Sequence, residues 1–338
     1  YGATSMNLGT SNPDVQAKKG DGKTALLALE RSGIGAGALA PYEIVTPSDS
    51  TGPVVAALQK LGGMHGAVAP ADPSWSRDGT RIVEAFPTLN PASKEARAMV
   101  ADVRDAAHSA APGVRVTGPM AQNDDFIHGV FDNFPLMIVL IAIVTFVLLA
   151  RAFRSIVLPL KAVLLNVLSV AAAWGVMTFV WQEGHGSQIW GIDPTGALAA
   201  WIPLMVFAFL FGLSMDYEVF ILSRMREEYD ATGDTDASVV VGLGRTGRLV
   251  TSAALILFLA FSAMAAGPQT DVKVLATGLA AGILLDATII RGLLVPAVVS
   301  LLGRWNWWLP DRAARLLRVA PSPPAVATAG ASGTGPPS

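Results

Sequence analysis

From residue 131 onward the chain is built of long apolar runs, whereas before it apolar and polar positions alternate over short segments. Five runs approach the roughly 20 residues a helix needs to cross a bilayer. They fall at about 131–150, 156–181, 201–222, 249–266 and 274–302. Upstream, the periodicity predicts a helix over 24–32, a strand over 42–45, a helix over 53–61, strands over 66–69 and 81–86, a helix over 93–110 and a strand over 114–117. Thr51 is placed to cap the second of these helices, and Ser93, followed by Glu95, opens the third. After the first helix the order is β-α-β-β-α-β, the split βαβ arrangement. Residues 121–134 continue as helix into the first span. The predicted architecture is therefore a membrane protein: an α-helical bundle of five transmembrane helices plus an external α+β domain. An extended leader occupies 1–23, the external domain 24–130, the bundle 131–305 and a basic amphipathic segment 306–319. Residues 320–338 are Pro, Gly, Ala, Ser, Thr and Val without a charge, which predicts a disordered tail.

Charge sets the expected orientation. Arg151, Arg154 and Lys161 flank the first connection between spans. Arg224, Arg226, Arg245 and Arg248 flank the third, and Arg304, Arg312, Arg315 and Arg318 follow the last span. Residues 181–200 carry no Lys or Arg, and 267–273 only Lys273. By the positive-inside rule the basic connections and the carboxy terminus face the cytoplasm, with residues 1–130 outside a plasma membrane. Trp181, Trp190 and Trp201 then suit the outer interface, and Trp305, Trp307 and Trp308 the inner one.

Composition narrows the function. Hydrophobic residues make up 52% and charged residues 15%, too apolar a balance for an ordinary soluble domain. A net charge of −2 gives nucleic acid no footing. The absence of cysteine excludes a disulfide framework and thiol-based metal or redox chemistry. His65, His108, His128 and His185 are scattered without metal-ligand spacing, so no metal is expected. Gly22-Lys23-Thr24 ends like a phosphate-binding loop but lacks the preceding strand, and no nucleophile elbow occurs; no enzyme and no cofactor are predicted. Residue 1 is Tyr and no signal peptide precedes the first folded pattern, from which the start of a longer polypeptide is expected to be missing.

The candidate chemistry lies in the third and fifth runs. Gly212-Leu-Ser-Met-Asp216-Tyr217-Glu218 sits inside the third. A carboxylate in lipid costs at least ~2.5 kcal/mol, so an acid here is expected to be buried in a bundle interior or along a water path. Asp216 is about 15 residues into its span, ~22 Å along the axis. Gly212 lies one turn away on the same face, where a glycine would let a neighbouring helix approach. Gly278, Gly282 and Asp286 repeat the spacing in the last span. A desolvated Asp beside a hydroxyl such as that of Tyr217 can alternate between charged and neutral forms, which proton transport requires. Asp216, Tyr217 and, in support, Asp286 are the proton-relay candidates; a structural, hydrogen-bonded acid is the competing reading for both carboxylates. Arg291 lies about 140° round an α-helix from Asp286, so it reads as a cation snorkelling to the inner surface. Glu218 points away from Asp216 and reads as solvated or ion-paired.

At these positions the sequence resembles a known family. Phe211-Gly-Leu-Ser-Met-Asp-Tyr-Glu-Val-Phe-Ile-Leu-Ser-Arg-Met-Arg-Glu-Glu-Tyr229 is similar to the signature of the second half of the mycobacterial-membrane-protein-large (MMPL) transporters of the resistance–nodulation–division superfamily. Gly242-Leu-Gly-Arg-Thr-Gly-Arg248, Leu284-Leu-Asp-Ala-Thr-Ile-Ile-Arg291, Gly303-Arg-Trp-Asn-Trp-Trp-Leu-Pro310 and Pro159-Leu-Lys-Ala-Val-Leu-Leu-Asn166 follow in kind. The resemblance implies a porter-like external domain and proton-motive-force-driven export of lipids or other hydrophobic compounds, with the proton gradient as energy source. It further implies that Asp216 and Tyr217 are the relay pair. The implied partners are an amino-terminal half of the same transporter, a lipid or hydrophobic cargo and the membrane lipids; an oligomer is left open. A non-transporting receptor or scaffold, and a proton-driven auxiliary of protein secretion, remain alternatives.

Overall fold

The computed structural model describes residues 4–16, 19–186 and 192–319. Trp190 and the tail predicted at 320–338 lie outside the described residues. The chain divides into two compact units, one of residues 1–138, 170–210 and 257–283, the other of residues 139–169, 211–256 and 284–338.

The first unit holds the α+β domain. Helices α1 (Pro13–Gln16) and α2 (Asp21–Ser32) come first, so the expected extended leader is partly helical. Gly33 ends α2 in the left-handed region at φ 78°, open to glycine at no steric cost. Then follow β1 (Tyr42–Pro47), α3 (Thr51–Gln59), β2 (Met64–Val68), β3 (Ser76–Arg77), β4 (Thr80–Pro87), α4 (Lys94–Ala110) and β5 (Arg115–Thr117). The main sheet order is β2-β4-β1-β5, with β3 paired to β4. Every pairing is antiparallel, so β1 and β2 run parallel with β4 between them, as do β4 and β5 with β1 between them. That is the split βαβ topology predicted from the element order.

Its core follows from the period-2 strands and the apolar faces of α3 and α4. Tyr42, Ile44, Val83 and Ala85 meet Val54, Leu58, Met99, Val100 and Val103, all essentially sealed from solvent. Ser93 Oγ accepts from Ala96 N at 3.0 Å and caps α4. Thr51, expected to cap α3, instead lies inside the helix and donates its hydroxyl to the Ser48 carbonyl at 2.9 Å; a preceding 3-10 turn, Ser48–Ser50, moves the start upstream.

Buried Tyr42 donates to the Ala96 carbonyl at 3.4 Å, and burial followed by the Asp124 carboxylate pushes its pKa up to about 12. The folded tyrosine stays protonated where the unfolded one, ionising near pH 10, does not. The stability it contributes is therefore complete below about pH 10 and is lost between about 10 and 12. Thermal unfolding followed across that window falls more steeply in the native protein than in Tyr42→Phe.

The leader is tied down at both ends of this unit. Asn7 Nδ2 donates to the carbonyls of Ala92 and Gly196, Arg97 Nη1 to that of Leu8, and Ser11 Oγ to Asp271 Oδ1. Helix α5 (Pro119–Phe131) leads into the first of five apolar helices, α6 (Phe134–Phe153). The others are α7 (Val157–Met177), α8 (Trp201–Thr232), α9 (Thr235–Met264) and α10 (Thr270–Leu285), the last extended by a π-helical turn (Asp286–Leu294) and α11 (Val295–Leu302). All five are long and apolar enough to cross a membrane. In α6 and α9 only 17% and 6% of the most apolar window is buried within the chain, against 39–44% in the others, so these two leave Leu, Ile and Val uncovered by the described residues.

Helices α8 and α9 exceed the predicted spans, running on to Thr232 and back to Thr235. Their polar ends are held by ion pairs: Arg245–Glu228 at 3.2 Å, Arg226–Asp230 and Arg154–Asp230 both at 2.9 Å. Trp307 stacks on Tyr229 at 4.2 Å, lies under the Arg226 guanidinium and donates to Thr235 Oγ1, while Arg226 Nη1 donates to the Phe153 carbonyl. The segment 303–309 is thus knit into the second unit before the short helix α12 (Asp311–Leu317) begins. Trp305 and Trp308 remain half-exposed.

Candidate functional site

The helical period decides which polar residues of α8 are inside the second unit. Phe211, Ser214, Met215, Glu218, Ile221, Leu222 and Met225 form the buried i, i+3, i+4 stripe. Gly212 and Asp216 are neighbours on one face, as their spacing predicts, but that face is exposed. Asp216 was expected in a bundle interior or along a water path. It lies two residues from both Ser214 and Glu218, roughly 200° round the helix from each. Since those two point inward, Asp216 points out, and it has no hydrogen bond or ion pair among the described residues. A Cβ on Gly212 would meet nothing within 4 Å, so no helix among the described residues closes on it.

Opposite Asp216 lies a network that sequence spacing did not reveal. Asp286, 8% exposed, and Arg291, 3% exposed, form an ion pair at 2.7 Å. They are five residues apart, which α-helical geometry would set on different faces. The π turn widens the helix to i→i+5 pairing and brings them together. Arg291 is therefore a buried partner, not a snorkelling surface cation. Ser214 Oγ donates to Asp286 Oδ1 at 3.1 Å and accepts from Arg291 Nη2 at 2.9 Å; the same nitrogen donates to the Ser214 carbonyl at 2.5 Å. The Arg291 guanidinium stands 5.1 Å from the centroid of the half-buried Tyr217 ring.

Two further ionisable groups are sealed in the same unit. Glu218 is 3% exposed and Lys161 of α7 is 6% exposed. Glu218 was expected to be solvated or paired at the interface; it is buried, and its Oε1 has no hydrogen-bond partner, nor has Lys161 Nζ. With Asp286 and Arg291 they make two acids and two bases, so the buried set carries no net formal charge when all four are ionised. Helix packing glycines serve the first unit: a Cβ on Gly278 would strike the Met177 side chain, and one on Gly282 would strike Leu210 and Ala173. No group of three or more His, Cys, Asp or Glu residues could hold a metal among the described residues.

Sequence reasoning thus reached Asp286 and Tyr217 but missed Lys161, Glu218 and Arg291 as buried groups. Lys161 was read from its place beside a connection, Arg291 from α-helical spacing to Asp286, and Glu218 from its offset to Asp216. The usable signal was phase: Glu218 is four residues from Ser214 and three from Met215, in register with the apolar stripe.

Charges buried among helices long and apolar enough to span a bilayer, in a chain that also holds a split βαβ domain, define a polytopic membrane protein. The MMPL family profile matches residues 48–323, and the chain belongs to that family. It is 33% identical over 326 residues to the heme uptake protein MmpL11 of Mycobacterium tuberculosis, covering 93% of this chain and 34% of that protein. It is 35% identical over 294 residues to the mycolic acid-containing lipids exporter MmpL11 of Mycolicibacterium smegmatis (82% and 30%). It is 39% identical over 243 residues to the trehalose monomycolate exporter MmpL3 of the same organism (71% and 24%). The chain spans about a third or less of the length of these curated relatives.

Proposed function

We propose that this chain supplies one half of a proton-driven exporter of lipids or other hydrophobic compounds across the plasma membrane, with the α+β domain outside and the carboxy terminus inside. The observation that carries the reading is the buried Asp286–Ser214–Arg291 network, with Tyr217 against Arg291, inside helices that are otherwise apolar. Ionisable groups are retained in such a setting where charge must change during a cycle. Relatives named as exporters of mycolic acid-containing lipids and trehalose monomycolate support a lipid cargo.

In this reading Asp216 is the proton acceptor and Tyr217 its neighbour in the relay, free to bond to it as the transporter cycles, with Asp286 in a supporting role. Asp216 and Gly212 share an open face of α8. An acid cannot stay bare in lipid, so a helix of the other half of the transporter covers that face, and Gly212 lets it come close. Protonation of Asp216 would then bias one conformation over another, drawing on the membrane potential at ~2.3 kcal/mol per charge per 100 mV.

The test is proton flux and lipid export by the reconstituted transporter. Asp216→Asn brings both to the level of empty vesicles, whereas an export rate equal to that of the native protein refutes the assignment.

A further inference from the structure

The ionised centre leaves one buried pair unexplained. Lys161 and Glu218 are each more than nine-tenths buried, yet Lys161 Nζ and Glu218 Oε1 have no hydrogen-bond partner. They attract each other electrostatically without a direct contact. Buried charges left in that condition are costly unless water or a mobile proton satisfies them. Two more orphaned polar atoms lie farther along α7: Asn166 Oδ1 (residue 1% exposed) and Ser169 Oγ (0%). Lys161 and Ser169 are ~12 Å apart along the helix axis. An apolar helix with three buried polar residues, each with an unmet hydrogen-bonding atom, is lined for water.

We propose that Lys161 and Glu218 form a second proton-binding site, hydrated from α7 through Asn166 and Ser169 and separate from Asp216. This rests on the proton-coupled reading above. In the resting state the pair is ammonium and carboxylate. A proton arriving through water binds a Glu218 oxygen and gives the neutral acid, leaving Lys161 charged; its departure to water restores the carboxylate. No other bond is made or broken. The groups that set its occupancy are Lys161 from α7 and Asp286 and Arg291 from the π turn, with Asp216 and Tyr217 next to it on α8. Lys161 acts as a positioning residue: its charge holds the carboxylate form and orients the water.

Infrared difference spectra of the purified protein in lipid, titrated with pH, test the site without any cargo. A protonated-carboxyl stretch appears on acidification, is absent in Glu218→Gln and persists in Asp216→Asn. In Lys161→Met its midpoint moves to higher pH by about one unit or more, because the stabilising cation is gone. The charge-free double variant Lys161→Met/Glu218→Gln keeps the protein folded and lacks the band. In transport, Glu218→Gln displaces the pH profile of proton flux. A difference spectrum and flux profile unchanged in Glu218→Gln overturn the proposal while leaving the role of Asp216 intact. Flux that survives Asp216→Asn overturns the exporter mechanism, whatever the Glu218 band does.

Discussion

Replacing Arg291 by methionine lowers the stability of the protein by about 3–5 kcal/mol and abolishes transport. The substitution preserves length and apolar volume but strands Asp286, 8% exposed, without its cation. It also removes the donor to the Ser214 carbonyl and hydroxyl and the cation over Tyr217. The remaining carboxylate must either stay charged in an apolar interior or take up a proton permanently. Asp286→Asn/Arg291→Met removes both charges and recovers most of the lost stability without restoring transport. Denaturant unfolding in detergent, run beside a flux assay, separates these effects. Stability of the single variant within about 1 kcal/mol of native would show that the ion pair is energetically idle.

Substitutions at the three glycines separate with opposite signs. At Gly282 an added Cβ meets Leu210 and, at 3.1 Å, the Cβ of Ala173, both buried, so Gly282→Val overpacks the helix contact and costs about 1–3 kcal/mol or more. Gly278→Val behaves alike, since Met177 is 0% exposed and has nowhere to swing. Gly212→Ala has open space among the described residues. There the only change within the chain is helix propensity, which favours alanine by about 1 kcal/mol. Thermal melts of the purified chain should therefore fall for the first two and hold or rise for the third. In the assembled transporter the Gly212 substitution becomes harmful if another helix seats on that face, as proposed.

What could be read from the sequence depended on the kind of signal. Strands β1 and β4 stand out as short apolar segments, and the split order of the sheet followed from the order of strands and helices. The spans were visible as long apolar runs, because lipid demands them. Burial of particular charges was harder. An acid inside an apolar run announces that something must satisfy it, but not from which side. Asp216, read as an acid facing a bundle interior or water path, points outward by phase, while Glu218, read as peripheral, is enclosed. Arg291 was misjudged because the spacing argument presumed α-helical winding, and nothing in Asp286-Ala-Thr-Ile-Ile-Arg291 announces a π turn. The helix ends at Thr232 and Thr235 were underestimated because their Arg and Glu residues interrupt the apolar run, although ion pairing keeps the backbone wound.

The winding around Asp286–Leu294 has a mechanical consequence. A π turn is one surplus residue wedged into a coil that would otherwise close sooner. Tightening the coil by that residue would swing the guanidinium away from the carboxylate and from Ser214 together. The ion pair is therefore keyed to the pitch of its own helix, and a change of winding there would be felt at Ser214 as well.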